Sequence, residues 1–451
     1  MMKAVDKYYN RTITEDYNNR IERLKKHFPE NIKIDNTHML RNITIQVTEA
    51  CNLCCKYCYQ INKSPARLNF ETAKKFIDIV LEPDQPKNKY FDSWEGSFVI
   101  LDFIGGEPLL EIDLIDKICD YFVKRLIELD HPWKVGYMIS IGTNGVLYFD
   151  ERVQQFIEKH KDKTSFAITL DGDKELHDSC RIFPDGSGSY DMAVAACKAE
   201  LDKKVGVPMG SKLTMAPENI MYIKDAIVHM IDLGYVNINE NCVYEEGWKQ
   251  EHATILYHQL KDLADYLLDN DLEDKITIRV FNPDDYMPMD PMDDQNWCGG
   301  DGSMLALDVD GNIFNCVRYM KSSLGDDQVP LRIGDVENGI GMLANDCKNI
   351  GCMRCVTRSS QSTKECFNCP IAQGCGWCSA YNYQKFGTVN KRATFICEMH
   401  KAQSLANVYF WNKVLIKHDE TERLHMYCPE EWAVHIIGQE DYDMLKKLSE
   451  E

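Results

Sequence analysis

Residues 44–60 read TIQVTEACNLCCKYCYQ, with cysteines at Cys51, Cys54, Cys55 and Cys58. Thiolates bind soft metals, and a structural zinc site closes with four tetrahedral ligands. No histidine lies in this stretch to complete such a set. The spacing C-x3-C-x2-C selects Cys51, Cys55 and Cys58, leaves Cys54 aside, and leaves one corner of the metal site without a protein ligand. The preceding segment NITIQVTEA alternates apolar and polar residues, so the cysteine loop hangs from the end of a predicted strand.

From that strand the chain alternates regularly. LNFETAKKFIDIVLE has helical period, and SFVILDFIGGEP is a buried apolar run ending in glycines. Helix IDLIDKICDYFVKRLIEL, strand YMISIGTNG, helix ERVQQFIEKHK and strand SFAITLDG follow. Then come helix SYDMAVAACKAELDKK, strand GSKLTMAP, helix ENIMYIKDAIVHMIDLG and strand VNINENCV. Six strand–helix units in succession predict an α/β fold with a parallel, partial (β/α)6 TIM-like barrel. Its strands end in polar or glycine-rich turns: VTEAC, GGEP, GTNG, LDGD and TMAPEN. In parallel α/β architectures these C-terminal ends carry the chemistry, so the turns should ring one site.

The expected organisation is an N-terminal helical arm over 1–39, with a helix at 12–28, followed by the partial barrel over 40–285. A cysteine-rich region of short hairpins spans 290–400, and a helical extension spans 401–451. A net charge of −20 disfavours nucleic acid as a partner. There is no apolar run of membrane-spanning length and no signal-peptide core, so a cytoplasmic protein without a membrane partner is expected. In that compartment nineteen cysteines do not read as a disulfide framework. The scattered Cys119, Cys180, Cys197, Cys242 and Cys428 read as small buried hydrophobes.

The C-x3-C-x2-C loop after the first strand, with Tyr57 before its last cysteine, resembles that of the radical S-adenosylmethionine enzymes. The resemblance implies a [4Fe–4S] cluster on Cys51, Cys55 and Cys58, the catalytic cysteines. Its open iron chelates S-adenosylmethionine, and an electron from the cluster then yields methionine and a 5′-deoxyadenosyl radical that abstracts hydrogen. Gly105, Gly106, Glu107 and Pro108 resemble the family's GGEP motif, which receives the methionine amino group; glycines permit close approach there. Thr143 and Asn144, and Thr169 and Asp171, resemble later strand ends that contact the ribose and methionine. Arg181 stands where one subgroup carries an arginine for the methionine carboxylate, a bidentate task suited to a guanidinium. Tyr57 belongs to the same implied cofactor-binding set. Taken alone, each of these turns also reads as an ordinary loop.

Downstream, Cys298, Gly311 and Cys316 follow C-x12-G-x4-C, and Cys366, Cys369, Cys375, Cys378 and Cys397 follow. This resembles the SPASM domain, with one departure: two residues rather than the usual three separate Cys375 from Cys378. The resemblance implies two auxiliary [4Fe–4S] clusters, one on Cys366, Cys369, Cys375 and Cys397, the other on Cys298, Cys316 and Cys378. Cys347, Cys352 and Cys355 are additional to the frame. They could supply a fourth ligand, form a zinc knuckle, or remain free thiols; alternatively, an open iron in that cluster could bind a substrate cysteine.

SPASM enzymes act on peptides or protein side chains. The resemblance implies a maturase of ribosomally made precursor peptides, of the sactipeptide or ranthipeptide kind, installing Cys-to-carbon thioethers. Carbon–carbon crosslinking is the alternative. Anaerobic sulfatase maturation is disfavoured, because Val317, followed by Arg318, occupies the position where those relatives usually carry an aspartate. The implied partners are a leader-bearing precursor peptide and a ferredoxin or flavodoxin as electron donor. Residues 1–39 are too few for a full winged-helix leader-binding module. A non-enzymatic zinc-stapled binding protein would explain the later CxxC pairs but not the three-ligand loop.

Overall fold

The computed structural model describes residues 42–450 apart from 85, 95, 204–210, 295–297, 299, 301, 326 and 327. The expected 12–28 helix lies outside the described residues. β1 (Asn42–Thr48) is buried along nearly its whole length, as a central parallel strand requires. It pairs in parallel with β2 (Val99–Gly105), which pairs with β3 (Tyr137–Thr143), and that with β4 (Thr164–Ile168). Ile45 lies opposite Phe103, Phe103 opposite Ile141, and Ile141 opposite Phe166, so one apolar row crosses the sheet.

Helices return the chain between strands. α1 (Phe70–Leu81) starts at Asn69, whose side chain accepts the Glu71 N–H, and buries Ala73, Phe76, Ile77 and Val80. α2 (Ile112–Glu128) buries Ile115, Ile118, Cys119, Phe122 and Leu126 at helical spacing. α3 (Glu151–His160), α4 (Lys174–Cys180) and α5 (Tyr190–Leu201) follow. β5 (Ser211–Met215), α6 (Ile223–Asp232) and β6 (Asn237–Cys242) come next. The five scattered cysteines are all buried, in keeping with their reading as core residues.

The sheet departs from the sequence reading in two ways. β5 and β6 form a separate sheet with a short seventh strand, β7 (Thr277–Ile278), and no ladder joins β4 to β5 among the described residues. The missed connection to β7 is α7 (Gln250–Asp269), which buries Ala253, Leu256, Tyr257, Leu260, Leu263, Ala264 and Leu267. On the other edge, β8 (Met304–Leu307) pairs in parallel with β1, and β9 (Asn312–Phe314), β10 (Gly334–Asp335) and β11 (Gly339–Ile340) extend that sheet antiparallel. The cysteine-rich segment is thus sewn to the strand that carries Cys51.

α8 (Ala344–Arg354) and α9 (Ser379–Phe386) lie in that segment. α10 (Cys397–Lys417) packs along α7, and α11 (Glu430–Glu450) covers both. Phe410 of α10 stacks on Phe281 with ring centroids 4.3 Å apart, and Trp411 donates to the Phe281 carbonyl at 2.7 Å. Among the described residues no helix is long and apolar enough to cross a membrane.

Candidate active site

The cysteine loop is held at both ends. Thr48 Oγ1 accepts the Ala50 N–H, and Cys51 Sγ accepts the Leu53 N–H at 3.4 Å. The Cys54 and Lys56 N–H groups bond the Ile182 and Cys180 carbonyls at 2.8 and 3.1 Å. This clips the loop to the segment after α4 and brings Arg181 to Tyr57, where Nη1 donates to the phenol at 3.0 Å. Tyr57 in turn donates to Asp171. Burial pushes the Asp171 carboxyl up to about 6, opposed by the Arg181 charge. His177, buried behind this group, is pushed down to about 3 by burial and then by Arg181.

The GGEP turn closes on the same loop. Gly106 and Glu107 donate their N–H groups to the Thr48 and Ala50 carbonyls at 3.0 and 2.8 Å. A Cβ on Gly106 would stand 2.3 Å from the Ala50 carbonyl oxygen, so only glycine permits this approach. Glu107 is fully buried, and its carboxylate accepts from the Leu109 N–H, Thr143 Oγ1 and the Asn144 N–H at 3.1, 2.6 and 2.9 Å. Burial raises its pKa, while these donors favour the anion. Asn144 Nδ2 reaches Asn52 Oδ1 at 2.7 Å. Glu107 and Asn144 therefore tie the turns after β1, β2 and β3 into one rim.

That rim opens on a chamber of about 540 Å³, within the range of small-molecule sites. Cys51, Cys55 and Cys58 line it with Tyr57, Gly105, Gly106, Glu107, Thr143, Asn144, Thr169 and Arg181. Cys54 does not line it and is exposed. Asp171 stands behind Tyr57 rather than on the wall. Arg181 Nε and Asp171 Oδ1 are buried without a hydrogen-bond partner, leaving polar capacity beside the chamber.

The later cysteines fall into two groups. Cys316 is within electrostatic reach of Cys298 and Cys378, and burial pushes it up to about 12. Cys378 also lines the chamber. Cys366, Cys369, Cys375 and Cys397 surround Arg392, whose Nη2 donates to Cys375 Sγ at 3.0 Å. In α8, Cys347 donates to the Gly341 carbonyl at 2.9 Å and Cys352 is exposed. The groups acting on these two thiols are Lys89 and Asp346 for Cys347 and Lys348 for Cys352, with no other cysteine among them. Cys355 forms the C-cap of the same helix.

Sequence reasoning passed over the cations. Lys63 lies beside all three thiols of the first loop. Arg318 lies beside Cys378, pairs with Glu245 at 2.8 Å and covers the Tyr59 ring at 5.2 Å. Arg392 serves the four-thiol group. Each lies within five residues of a cysteine in the chain, which was the available signal. Lys212, Tyr244, Glu245 and Arg279 also line the chamber. Lys212 and Thr214 alternate with buried Leu213 and Met215, the pattern of an inward-facing polar row.

No protein-family model matches the chain. It is 22% identical over 404 residues to the radical SAM cyclopropyl synthase TigE of Paramaledivibacter caminithermalis, covering 85% of this chain and 77% of the relative. The chain is thus similar to a radical SAM enzyme over most of its length. Its fold matches those of solved enzymes of this family. Native anSMEcpe with bound AdoMet superposes with a TM-score of 0.59 at 18% identity, covering 84% of this chain and 98% of that one. Streptococcus suis SuiB bound to precursor peptide SuiA gives 0.54 at 16% identity, covering 84% and 79%. The radical SAM fold thus accounts for the parallel sheet and for the placing of the cysteine loop at its C-terminal rim.

Proposed function

We propose that this protein is a radical SAM peptide maturase that abstracts hydrogen from a ribosomally made precursor peptide and installs a crosslink, a Cys-to-carbon thioether. One observation carries the reading: three thiols, the glycine turn, Thr143, Asn144, Thr169 and Arg181 line one chamber that Cys378 also lines. The donor set fits a [4Fe–4S] cluster on Cys51, Cys55 and Cys58, with S-adenosylmethionine on its open iron. When bound, this pair would supply hydrogen-atom abstraction from a substrate carbon.

The chain's own residues do the rest. Lys63 offsets the charge of the thiolates, which burial otherwise disfavours at Cys51 and Cys55. Gly105 and Gly106 let the backbone approach, and Glu107 holds the rim rigid so that reactants meet in a fixed geometry. Arg181, oriented by Tyr57 and with Nε uncommitted, is placed to receive a carboxylate. Cys298, Cys316 and Cys378, and Cys366, Cys369, Cys375 and Cys397, would hold two auxiliary clusters that accept the electron left by C–S bond formation, while the substrate thiol releases its proton.

Val317 in place of a carboxylate supports crosslinking over sulfatase maturation.

Anaerobic reconstitution with iron and sulfide tests the reading. A brown protein that makes 5′-deoxyadenosine from S-adenosylmethionine and dithionite supports it; a colourless zinc protein that makes none overturns it. Mass spectrometry of the reacted precursor peptide then reads the bond: loss of two hydrogens per link accompanies a crosslink, and an unchanged mass excludes one.

A further inference from the structure

Five cationic side chains line the chamber: Lys63, Arg181, Lys212, Arg279 and Arg318. Only two lining carboxylates, Glu107 and Glu245, accompany them. This is the reverse of the balance in a chain of net charge −20. Three of the cations already have work. Lys63 lies against the first thiol loop, Arg181 bonds Tyr57, and Arg318 pairs with Glu245.

Lys212 and Arg279 remain. Among the described residues neither side chain makes a hydrogen bond or ion pair, although both border the chamber. They belong to the second sheet: Lys212 is on β5, and Arg279 follows β7. Arg279 shares its stretch of wall with Tyr244. The acids within electrostatic reach are Asp102 and Asp171 for Lys212, and Glu240 and Asp285 for Arg279. Burial shifts all four carboxyls upward, Glu240 to about 8. Once a peptide fills the space and expels water, each favours an anionic partner.

We propose that Lys212 and Arg279 form a carboxylate-recognition subsite, and that the peptide segment drawn into the chamber carries an aspartate or glutamate beside the residue that reacts. This rests on the peptide reading above and adds the substrate's charge to it. Arg279 offers the bidentate fork that a carboxylate fits, and Lys212 a point charge.

The test uses reconstituted holoprotein and a displayed library of peptides, each with one cysteine and randomised flanks. Selection on the wild type is expected to enrich aspartate and glutamate over lysine and arginine. Selection on Lys212→Glu/Arg279→Glu is expected to reverse that preference. Changing the glutamate of a selected peptide to glutamine should weaken its binding about tenfold or more, and this arm leaves the protein unaltered. Enrichment without charge preference, or a preference unmoved by the double substitution, overturns the proposal. So does loss of S-adenosylmethionine binding in Lys212→Gln and Arg279→Gln with the peptide preference retained, because that assigns the cations to the cofactor. Failure to select any peptide removes the peptide reading itself and this subsite with it.

Discussion

The loop at Cys51–Cys58 and the group Cys366, Cys369, Cys375 and Cys397 use the same side chain in opposite ways. The first offers three thiols to an open chamber, with Lys63 at their side. The second gathers four thiols around Arg392, none of them on the chamber wall. Three ligands leave a coordination site for chemistry, whereas four close it, so the closed group suits electron transfer or structure. What distinguishes them is the count of facing thiols and access to the cavity, since cysteine content alone marks both regions equally.

The sharpest way to break this comparison is to remove one thiol from each. Cys55→Ala is expected to abolish 5′-deoxyadenosine formation and to lose about four irons per chain on reconstitution. Cys397→Ala is expected to lose a similar amount of iron while still producing 5′-deoxyadenosine, with the crosslinked peptide missing from the mass spectrum. If both variants lose 5′-deoxyadenosine equally, the open and closed roles are not separate.

A smaller effect probes the scaffold on the open side. Gly106→Ala places a Cβ 2.3 Å from a backbone oxygen that cannot swing away. Overpacking of this kind costs about 1–3 kcal/mol, so the urea midpoint of the apo protein should fall. Gly142→Ala, with nothing within 4 Å of the added atom, should fall much less.

These expectations show which parts of the molecule were legible in the sequence. The barrel strands were, because burial on both faces leaves long apolar runs ending in turns, as in SFVILDFIGGEP. The grouping of Cys51, Cys55 and Cys58 on one chamber wall was, because one loop carries all three. α7 was passed over although Ala253, Leu256, Tyr257, Leu260, Leu263, Ala264 and Leu267 have helical period. The pairing of β8 with β1 was not legible, since four residues, MLAL, carry no register information until the partner strand is known. The roles of Arg318 and Arg392 depend on which thiols the fold brings to them, and charge in a loop ordinarily means solvent.

On the closed side, Arg392 is the counterpart of Lys63. Its guanidinium also donates to the Cys375 carbonyl at 3.2 Å and lies against the Trp377 ring at 5.9 Å. Arg392→Gln removes a charge-assisted hydrogen bond to sulfur, worth about 1.5–3 kcal/mol. The expected outcome is faster loss of iron to a chelator from the auxiliary site, with the rate of 5′-deoxyadenosine formation unchanged.

The smallest expected effect comes from the residue nearest the largest. Cys54 adjoins Cys55 in the chain, yet its side chain is exposed and off the chamber wall, and among the described residues only its backbone N–H is engaged, with the Ile182 carbonyl. Cys54→Ala keeps that backbone bond, so stability should change by no more than about 0.5 kcal/mol. Iron content and 5′-deoxyadenosine formation should match the wild type. Loss of either would mean that Cys54, not its neighbour, completes the three-thiol set, and the C-x3-C-x2-C frame would then be the wrong one for this loop.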